Sequence, residues 1–462
     1  MDFLLAILPI LVLIAMLAGL KLPAWKAALI ALATGVAEAW AWQGVGAKTM
    51  AAEMLKGVQT GLFPIGLVIV AALFTYAITV ESGAIEDIKS GLSALSGDKR
   101  FFALLTVWGF GNFMEGMAGF GTAVAIPCAI LMGVGFDPMK AVLCCLVANT
   151  TPTAFGSVGV PTMVLAGEAG LETGRLSATI ACLQLAVTAM SPFFILFITD
   201  GWRGVKEKWG LALVADLAFL VPWLAVASFG GCELPDVVGG LCVMVTMAMM
   251  GNRENIDFKK QGRAWLPFGC VVAVLGISAM LPKAWKVSPG ILILAAAFIG
   301  GLGQKVKLTT LCKVLYKTCR KYALAVMTIC AVLALAKIMG AAGMTEKIAA
   351  ALVKATGECY AAVSNVVGSL GGFVTGSGTS SNVLFGALQS SVGETEAQKY
   401  LFAAANVMGA GIGKMICPQS IVLGCAAAGL AGKESEVMKR SAPYFALVLL
   451  VACLVTFFAS RW

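Results

Sequence analysis

Apolar residues run almost unbroken along the 462-residue chain, and polar positions gather into short stretches between the runs. About 20 helical residues cross the roughly 30 Å of bilayer hydrocarbon. The runs at 3–20, 24–44, 61–83, 176–198, 209–229 and 235–250 therefore read as spanning helices, followed by a second series at 265–282, 287–303, 322–340 and 441–460. Two equally apolar regions, 101–167 and 357–430, are broken by glycine-rich stretches. The pattern predicts an all-α polytopic membrane protein with no soluble domain. Residues 47–60 and 85–97 are amphipathic, which suits helices lying along the membrane surface and short loop helices equally.

Four interruptions punctuate the broken regions. Residues 111–127 (GNFMEGMAGFGTAVAIP) set Glu115 among four glycines, and 149–161 read NTTPTAFGSVGVP. Their counterparts are 371–385 (GGFVTGSGTSSNVLF) and 406–419 (NVMGAGIGKMICPQ). Each glycine costs a soluble helix about 1 kcal/mol relative to alanine. Within a membrane, bare backbone is tolerated where it is buried in protein or lines a cavity, so such breaks mark a substrate or ion site. The first of each pair predicts a re-entrant hairpin, about 101–135 and 357–390; the second predicts a broken transmembrane helix, about 138–167 and 397–430.

The two series repeat each other. Ala24-Trp25-Lys26 returns as Ala284-Trp285-Lys286, and Gly83, Glu86, Gly111, Phe113 and Gly116 return as Gly343, Glu346, Gly371, Phe373 and Gly376, all at an offset of 260. Asn149 and Pro161 return as Asn406 and Pro418 at an offset of 257. An ordered series at nearly constant offset predicts repeats over 1–200 and 263–462, joined by a pair of helices within 201–262.

Charge sets the orientation. Only 12% of residues are charged, and the formal net charge of +9 comes from Lys and Arg concentrated in short loops, the positive-inside bias of a membrane protein, so no nucleic-acid partner is implied. Residues 304–321 carry Lys305, Lys307, Lys313, Lys317, Arg320 and Lys321 without an acid and are placed in the cytoplasm. The 251–263 loop and the loop of Arg203, Lys206 and Lys208 fall on the same side, and the acidic turn with Glu233 and Asp236 falls outside. Counting back puts both termini outside the cytoplasmic membrane and gives the repeats opposite starting sides. That is an inverted-topology duplication, an architecture of secondary transporters with the site where the broken helices meet; a parallel duplication is the alternative. The start, Met1-Asp2 running straight into an apolar stretch, reads as a retained first helix.

The chemistry at the breaks suits a small carboxylate. Half-helix N-termini expose unpaired N–H groups and the positive end of the helix dipole. Backbone at Gly119 and Gly121, and side chains of Thr122, Asn149, Thr150, Thr151, Ser157, Ser377, Thr379, Ser380, Ser381, Asn382, Asn406 and Gln419, offer neutral hydrogen bonds. Lys414 adds a full charge, which at this depth requires an acid, an anion or water beside it. A pair with Glu115 would answer that need and serve function as well, because protonating Glu115 frees Lys414 for an anion. Glu38, Asp216 and Lys337 also fall within spans, with Lys337 near enough to a helix end to snorkel. Glu168 and Glu172 read as solvated loop acids. Trp25, Trp40, Trp42, Trp202, Trp209 and Trp285 sit at span ends as interfacial anchors.

The fourteen cysteines lie mostly in apolar runs without metal-ligand spacing, and the chain has no histidine, so a histidine relay and a histidine-held metal are excluded. Neither HExxH nor a nucleophile elbow is present, which argues against a membrane enzyme, and without a P-loop ATP is not the direct energy source. No cofactor is implied.

The segments FMEGMAGFGTAVAI, NTTPTAFGSVGVP, GGFVTGSGTSSNVLFG and GKMICPQSI resemble, in order through both repeats, the signature stretches of the bacterial lactate permease family. The resemblance implies a 2-hydroxymonocarboxylate substrate such as lactate or glycolate, taken up with protons, with Glu115 as coupling acid and Lys414 as anion partner. Departures stand at Gly378, where an Asp is usual, at Ser380 for Asn, at Ala123 for Pro and at Cys417 for Ser. Fewer acids at the site leave sodium coupling, exchange of another organic anion and a passive anion conduit as alternatives. A homo-oligomer is left open.

Overall fold

A computed structural model describes residues 2–20, 22–251, 257–280 and 287–461. The described residues are helical throughout and contain no strand. The first series runs 2–19, Ala24–Ala41, Ala47–Glu81 and Ala84–Ala94, then a hairpin of 99–117 and Thr122–Gly133, then Pro138–Ala148, Gly156–Ala169 and Thr173–Thr188. The second runs Phe258–Met280, Pro289–Gly303, Leu308–Ala341 and Met344–Thr356, then a hairpin of Tyr360–Thr375 and 378–391, then Glu396–Lys414, Pro418–Ala428 and Glu434–Ala459. Ser191–Phe229, bent at Asp200, Gly201 and Lys208, and Pro235–Met250 join them. Ala284-Trp285-Lys286, the second copy of the opening motif, lies outside the described residues.

Local chemistry accounts for the boundaries. Asp98, Asp137 and Glu172 cap helix starts by accepting backbone N–H groups, and Thr395 and Gln398 form a reciprocal capping box. Pro138, Pro289 and Pro418 open helices at the position where a missing N–H is harmless. Gly83 and Gly343, matching positions of the two series, both precede their short helices in the left-handed region at φ 74° and 66°.

The halves also exchange equivalent contacts. Ala24–Ala41 packs on Leu308–Ala341, and its counterpart Pro289–Gly303 packs on Leu67–Glu81. Asp2–Ile14 packs on Met344–Thr356, and Phe258–Met280 packs on Ala84–Ala94. One surprise concerns 47–60. It is neither a surface helix nor a loop helix, but the first part of a long kinked helix, Ala47–Glu81, whose Gly57 lies against the backbone of Ala334. An amphipathic period has the same appearance whether the apolar stripe meets lipid headgroups or another helix. The basic 304–321 stretch likewise forms the opening turns of Leu308–Ala341.

Cross-element ion pairs and hydrogen bonds sort the ends into two faces. On one, Lys99 donates to the Gly135 carbonyl at 2.8 Å, Arg100 pairs with Glu207 at 2.6 Å, and Lys260 pairs with Asp87 at 2.9 Å. On the other, Arg175 pairs with Glu396 at 2.6 Å and Lys347 donates to Gln43 at 2.7 Å. The first hairpin opens on the former face and the second on the latter, with the tips meeting between them.

Asp98 belongs to the Arg100 cluster, outside the spans. Burial alone would raise its pKa, but hydrogen bonds and charge from Arg100 and Lys208 outweigh burial and hold it at about 2, below the ordinary 3.8. A depressed carboxyl stabilises the fold above its unfolded pKa and loses that contribution as pH falls through the folded value. Thermal unfolding in detergent between pH 4 and 2 is therefore expected to fall less steeply in Asp98→Asn than in the parent, with the variant less stable at pH 7.

Candidate functional site

All four interruptions converge. The first hairpin turns through Gly119, Phe120 and Gly121 at φ 64°, 54° and 82°, and the first broken helix unwinds between Ala148 and Gly156. Just beyond, Ser157, Val158 and Gly159 also hold positive φ, at 49°, 58° and 76°. A branched residue such as valine rarely adopts this conformation, and backbone strain of this kind concentrates at functional sites. A side chain on Gly119 would overlap the Ser157 hydroxyl, so tip and break are in contact. The second hairpin turns at Gly376 and Ser377, and the second broken helix is interrupted between Lys414 and Pro418.

The tips enclose a cavity of about 150 Å³. Of the residues singled out from sequence, Glu115, Gly119, Gly121, Ser157, Ser377, Thr379, Ser380, Lys414 and Gln419 line it. The start of Pro418–Ala428 faces the cavity through Gln419 and Ser420, and the start of 378–391 through Gly378 and Thr379. Two helix N-termini thus face one small volume, one of them partly capped by Ser377 Oγ, which accepts the Ser380 N–H at 3.2 Å.

Lys414 Nζ stands 2.9 Å from Glu115 Oε1, with the two side chains 7% and 4% exposed. Glu115 comes from the first half and Lys414 from the second, so the pair ties the halves together at the cavity wall. Lys414 closes Glu396–Lys414, where the negative end of the helix dipole favours a cation. Glu115 Oε2 is buried without a hydrogen-bond partner among the described residues.

Asn149, Thr150, Thr122, Ser381, Asn382 and Asn406 are buried but lie outside the cavity lining. Thr122 and Thr150 donate to the Met114 and Val147 carbonyls at 3.0 and 2.9 Å, and Ser381 to Gly368 at 3.3 Å. Asn406 donates to Asn382 Oδ1 at 2.9 Å, and Asn382 donates to the Pro161 carbonyl at 2.9 Å, locking the second hairpin to the first broken helix. Both side-chain atoms of Asn149 lack a partner among the described residues.

Sequence reasoning missed several lining residues. Thr153 and Ser420 sit within or beside the quoted stretches and differ in nothing from their neighbours. Thr375 likewise lies inside the 371–385 stretch, whereas Thr328 carries no motif at all. Glu168 is not a solvated loop acid: its side chain is 6% exposed and pairs with Lys337 at 3.1 Å, so Lys337 meets a carboxylate rather than reaching for the interface. Asp236, placed with the acidic turn on the outer side of the membrane, is wholly buried. Glu38 and Asp216 are buried as well. Trp40, Trp42, Trp202 and Trp209 are exposed near helix ends; Trp285 lies outside the described residues.

A second cavity of about 510 Å³, lined by Glu168, Lys337, Leu384 and Ser390, lies further along the same helices toward the face of Arg175 and Glu396. A side chain on Gly386 would overlap Leu165, and Asn382 donates to the Pro161 carbonyl, so these segments of the two halves are in contact.

The family model described as L-lactate permease matches residues 2–284 and 266–461. An L-lactate permease of Streptococcus iniae is 38% identical over 72% of this chain and 79% of its own length. That of Salmonella typhimurium is 32% identical over 98% of this chain and 94% of its own. The glycolate permease GlcA of Escherichia coli K12 is 31% identical over 87% of this chain and 85% of its own.

Proposed function

The chain belongs to the L-lactate permease family of multi-pass membrane transporters, and from that premise we propose that it takes up a small 2-hydroxymonocarboxylate, lactate or glycolate, by proton symport across the bacterial cytoplasmic membrane. The observation that carries the reading is the buried Glu115–Lys414 pair at the wall of a cavity bounded by four broken tips. While Glu115 is ionised it occupies the ammonium. A proton on Glu115 releases Lys414, and the substrate carboxylate takes its place, so the ammonium is never left without an anion. N–H groups at the two helix starts hold the second carboxylate oxygen, and hydroxyls of Ser157, Ser377 and Thr379 read the 2-hydroxyl.

Alternating access follows from the two stacked cavities. Separating Pro161–Leu165 from Asn382–Gly386 joins the outer cavity to the site, and closing the tips on the other side completes the exchange. Opposite hairpin entry and the reciprocal packing of the halves support an inverted duplication, and loop charge supports external termini.

Proteoliposomes given a pH gradient, acid outside, are expected to accumulate radiolabelled lactate and glycolate transiently, with the gain collapsed by a protonophore. Glu115→Gln is expected to lose that accumulation. Equilibration indifferent to the pH gradient would replace symport with a conduit or another driving ion, and a response to sodium or to internal counter-substrate would name which.

A further inference from the structure

The Glu115–Lys414 pair has a third member. Asp236, the second residue of Pro235–Met250, is 0% exposed. A Cβ placed on Gly116 would stand 2.8 Å from that of Asp236, so the two helices touch one residue away from Glu115. Trp223 Nε1 donates to Asp236 Oδ1 at 2.9 Å, while Oδ2, like Glu115 Oε2, is buried with no hydrogen-bond partner among the described residues. Asp236 lies within electrostatic reach of both Glu115 and Lys414, and beside the Phe155 amide at the break. The other titratable groups around it are the buried Cys232 thiol, Glu233 on the same turn, and Asp216 seven residues before Trp223 on its helix.

We propose that Asp236 is a proton-relay residue that loads Glu115, and this deepens the symport reading above. The argument is a charge count. Two buried carboxylates share one ammonium, and an uncompensated buried charge is far costlier than a bound proton. One proton therefore resides on the carboxylate pair at rest. Asp236 holds it, because Glu115 has the ammonium and Asp236 has only neutral donors, the Trp223 indole N–H and the Phe155 amide beside it. When a substrate carboxylate enters, three anionic groups face one cation and a second proton is required. The O–H bond of Asp236 breaks as a bridging water takes its proton, that water passes one of its own protons to Glu115, and the substrate carboxylate replaces Glu115 on Lys414. Asp236 is then reprotonated from solvent. A cavity of about 140 Å³ lined by Gly230, Glu233 and Leu234 stands at the turn just before Asp236 in the chain, and the relay draws its proton from that side. On the other side of the membrane the substrate leaves and Glu115 releases its proton, so each turnover moves one anion with one proton and no net charge.

Asp236→Asn keeps an oxygen for the Trp223 N–H but cannot carry the proton. In proteoliposomes it is expected to retain exchange of external labelled lactate for internal lactate at equal pH, which needs no net proton movement. Accumulation driven by the pH gradient, and the accompanying acidification of an internal dye, are expected to fall by about 100-fold, the low end of what a positioned proton carrier contributes. Trp223→Phe, which removes only the indole donor, is expected to shift the pH of half-maximal net uptake and leave exchange unchanged. Accumulation by Asp236→Asn at the parent rate overturns the relay and leaves the symport reading in place. Loss of exchange along with accumulation in Asp236→Asn overturns it too, since that marks a structural role; if Asp236→Asn yields no folded protein, an unshifted profile in Trp223→Phe does so. Parent protein that accumulates neither acid overturns the symport reading and the relay together.

Discussion

Lys414→Met is expected to abolish uptake and to lower thermal stability, while Glu115→Gln/Lys414→Met together are expected to recover stability without recovering transport. Methionine preserves the length and much of the volume of the lysine stem but leaves Glu115 buried opposite nothing. Breaking one side of a buried pair typically costs about 3–5 kcal/mol, because the remaining charge must be dehydrated or take up a proton. The neutral double substitution removes both charges, and with them the unpaired carboxylate, so most of the loss is returned. Transport does not return, since no cation remains to hold the substrate carboxylate. Unfolding temperature in detergent and labelled-lactate uptake measure the two halves of this expectation. A single variant that transports at the parent rate removes Lys414 from substrate binding. A double variant no more stable than the single one shows that packing of the lysine stem, rather than charge, was what the site needed.

The pair was legible because a lysine and a glutamate inside glycine-rich apolar breaks admit few other partners. The same logic failed for hydroxyl and amide groups. Interrupting a helix inside a membrane leaves carbonyls and N–H groups that must be met from somewhere. Asn382 and Asn406 meet that need, bridging to the Pro161 carbonyl, whereas Ser377 and Thr379 face the cavity. Composition is alike in the two cases; only the direction of each side chain separates them. Acids near span ends were misjudged for a related reason. Glu168 follows the last turns of a helix that reads as an exit to solvent, yet Lys337 from the other half covers it. Asp236 follows Glu233 in what looks like one acidic turn, but helix geometry sends it inward against Trp223. Both cases turn on a contact distant in sequence, which a local pattern does not carry.

The largest effect on the fold itself is expected at Gly372. Tyr360–Thr375 and Glu396–Lys414 cross with Gly368 and Gly372 on one helix facing Gly409 and Gly413 on the other, each set spaced by four. A side chain on Gly372 would overlap the Ala410 carbonyl, one on Gly413 the Ser369 carbonyl, and one on Gly409 the Asn365 carbonyl. The backbones themselves are in contact, the small-residue packing through which membrane helices gain dispersion energy when hydrophobicity offers no drive. Gly372→Ala cannot relax by a rotamer change, because the clash is with backbone. The helices must move apart, and the contacts along the whole crossing weaken together. Gly269 is the control. It lies in Phe258–Met280 with nothing within 4 Å of an added Cβ, so Gly269→Ala is expected to be neutral or slightly stabilising through helix propensity. Unfolding temperature should therefore fall sharply in Gly372→Ala and hold in Gly269→Ala. Uptake should fall with it, for a reason beyond stability. One of these helices ends in Lys414 and the other leads into the tip at Gly376, so a widened crossing carries the ammonium away from Glu115 and from the second hairpin at once. Equal stability of the two variants would mean that the crossing is looser than its geometry implies, and that Lys414 is positioned by Glu115 alone.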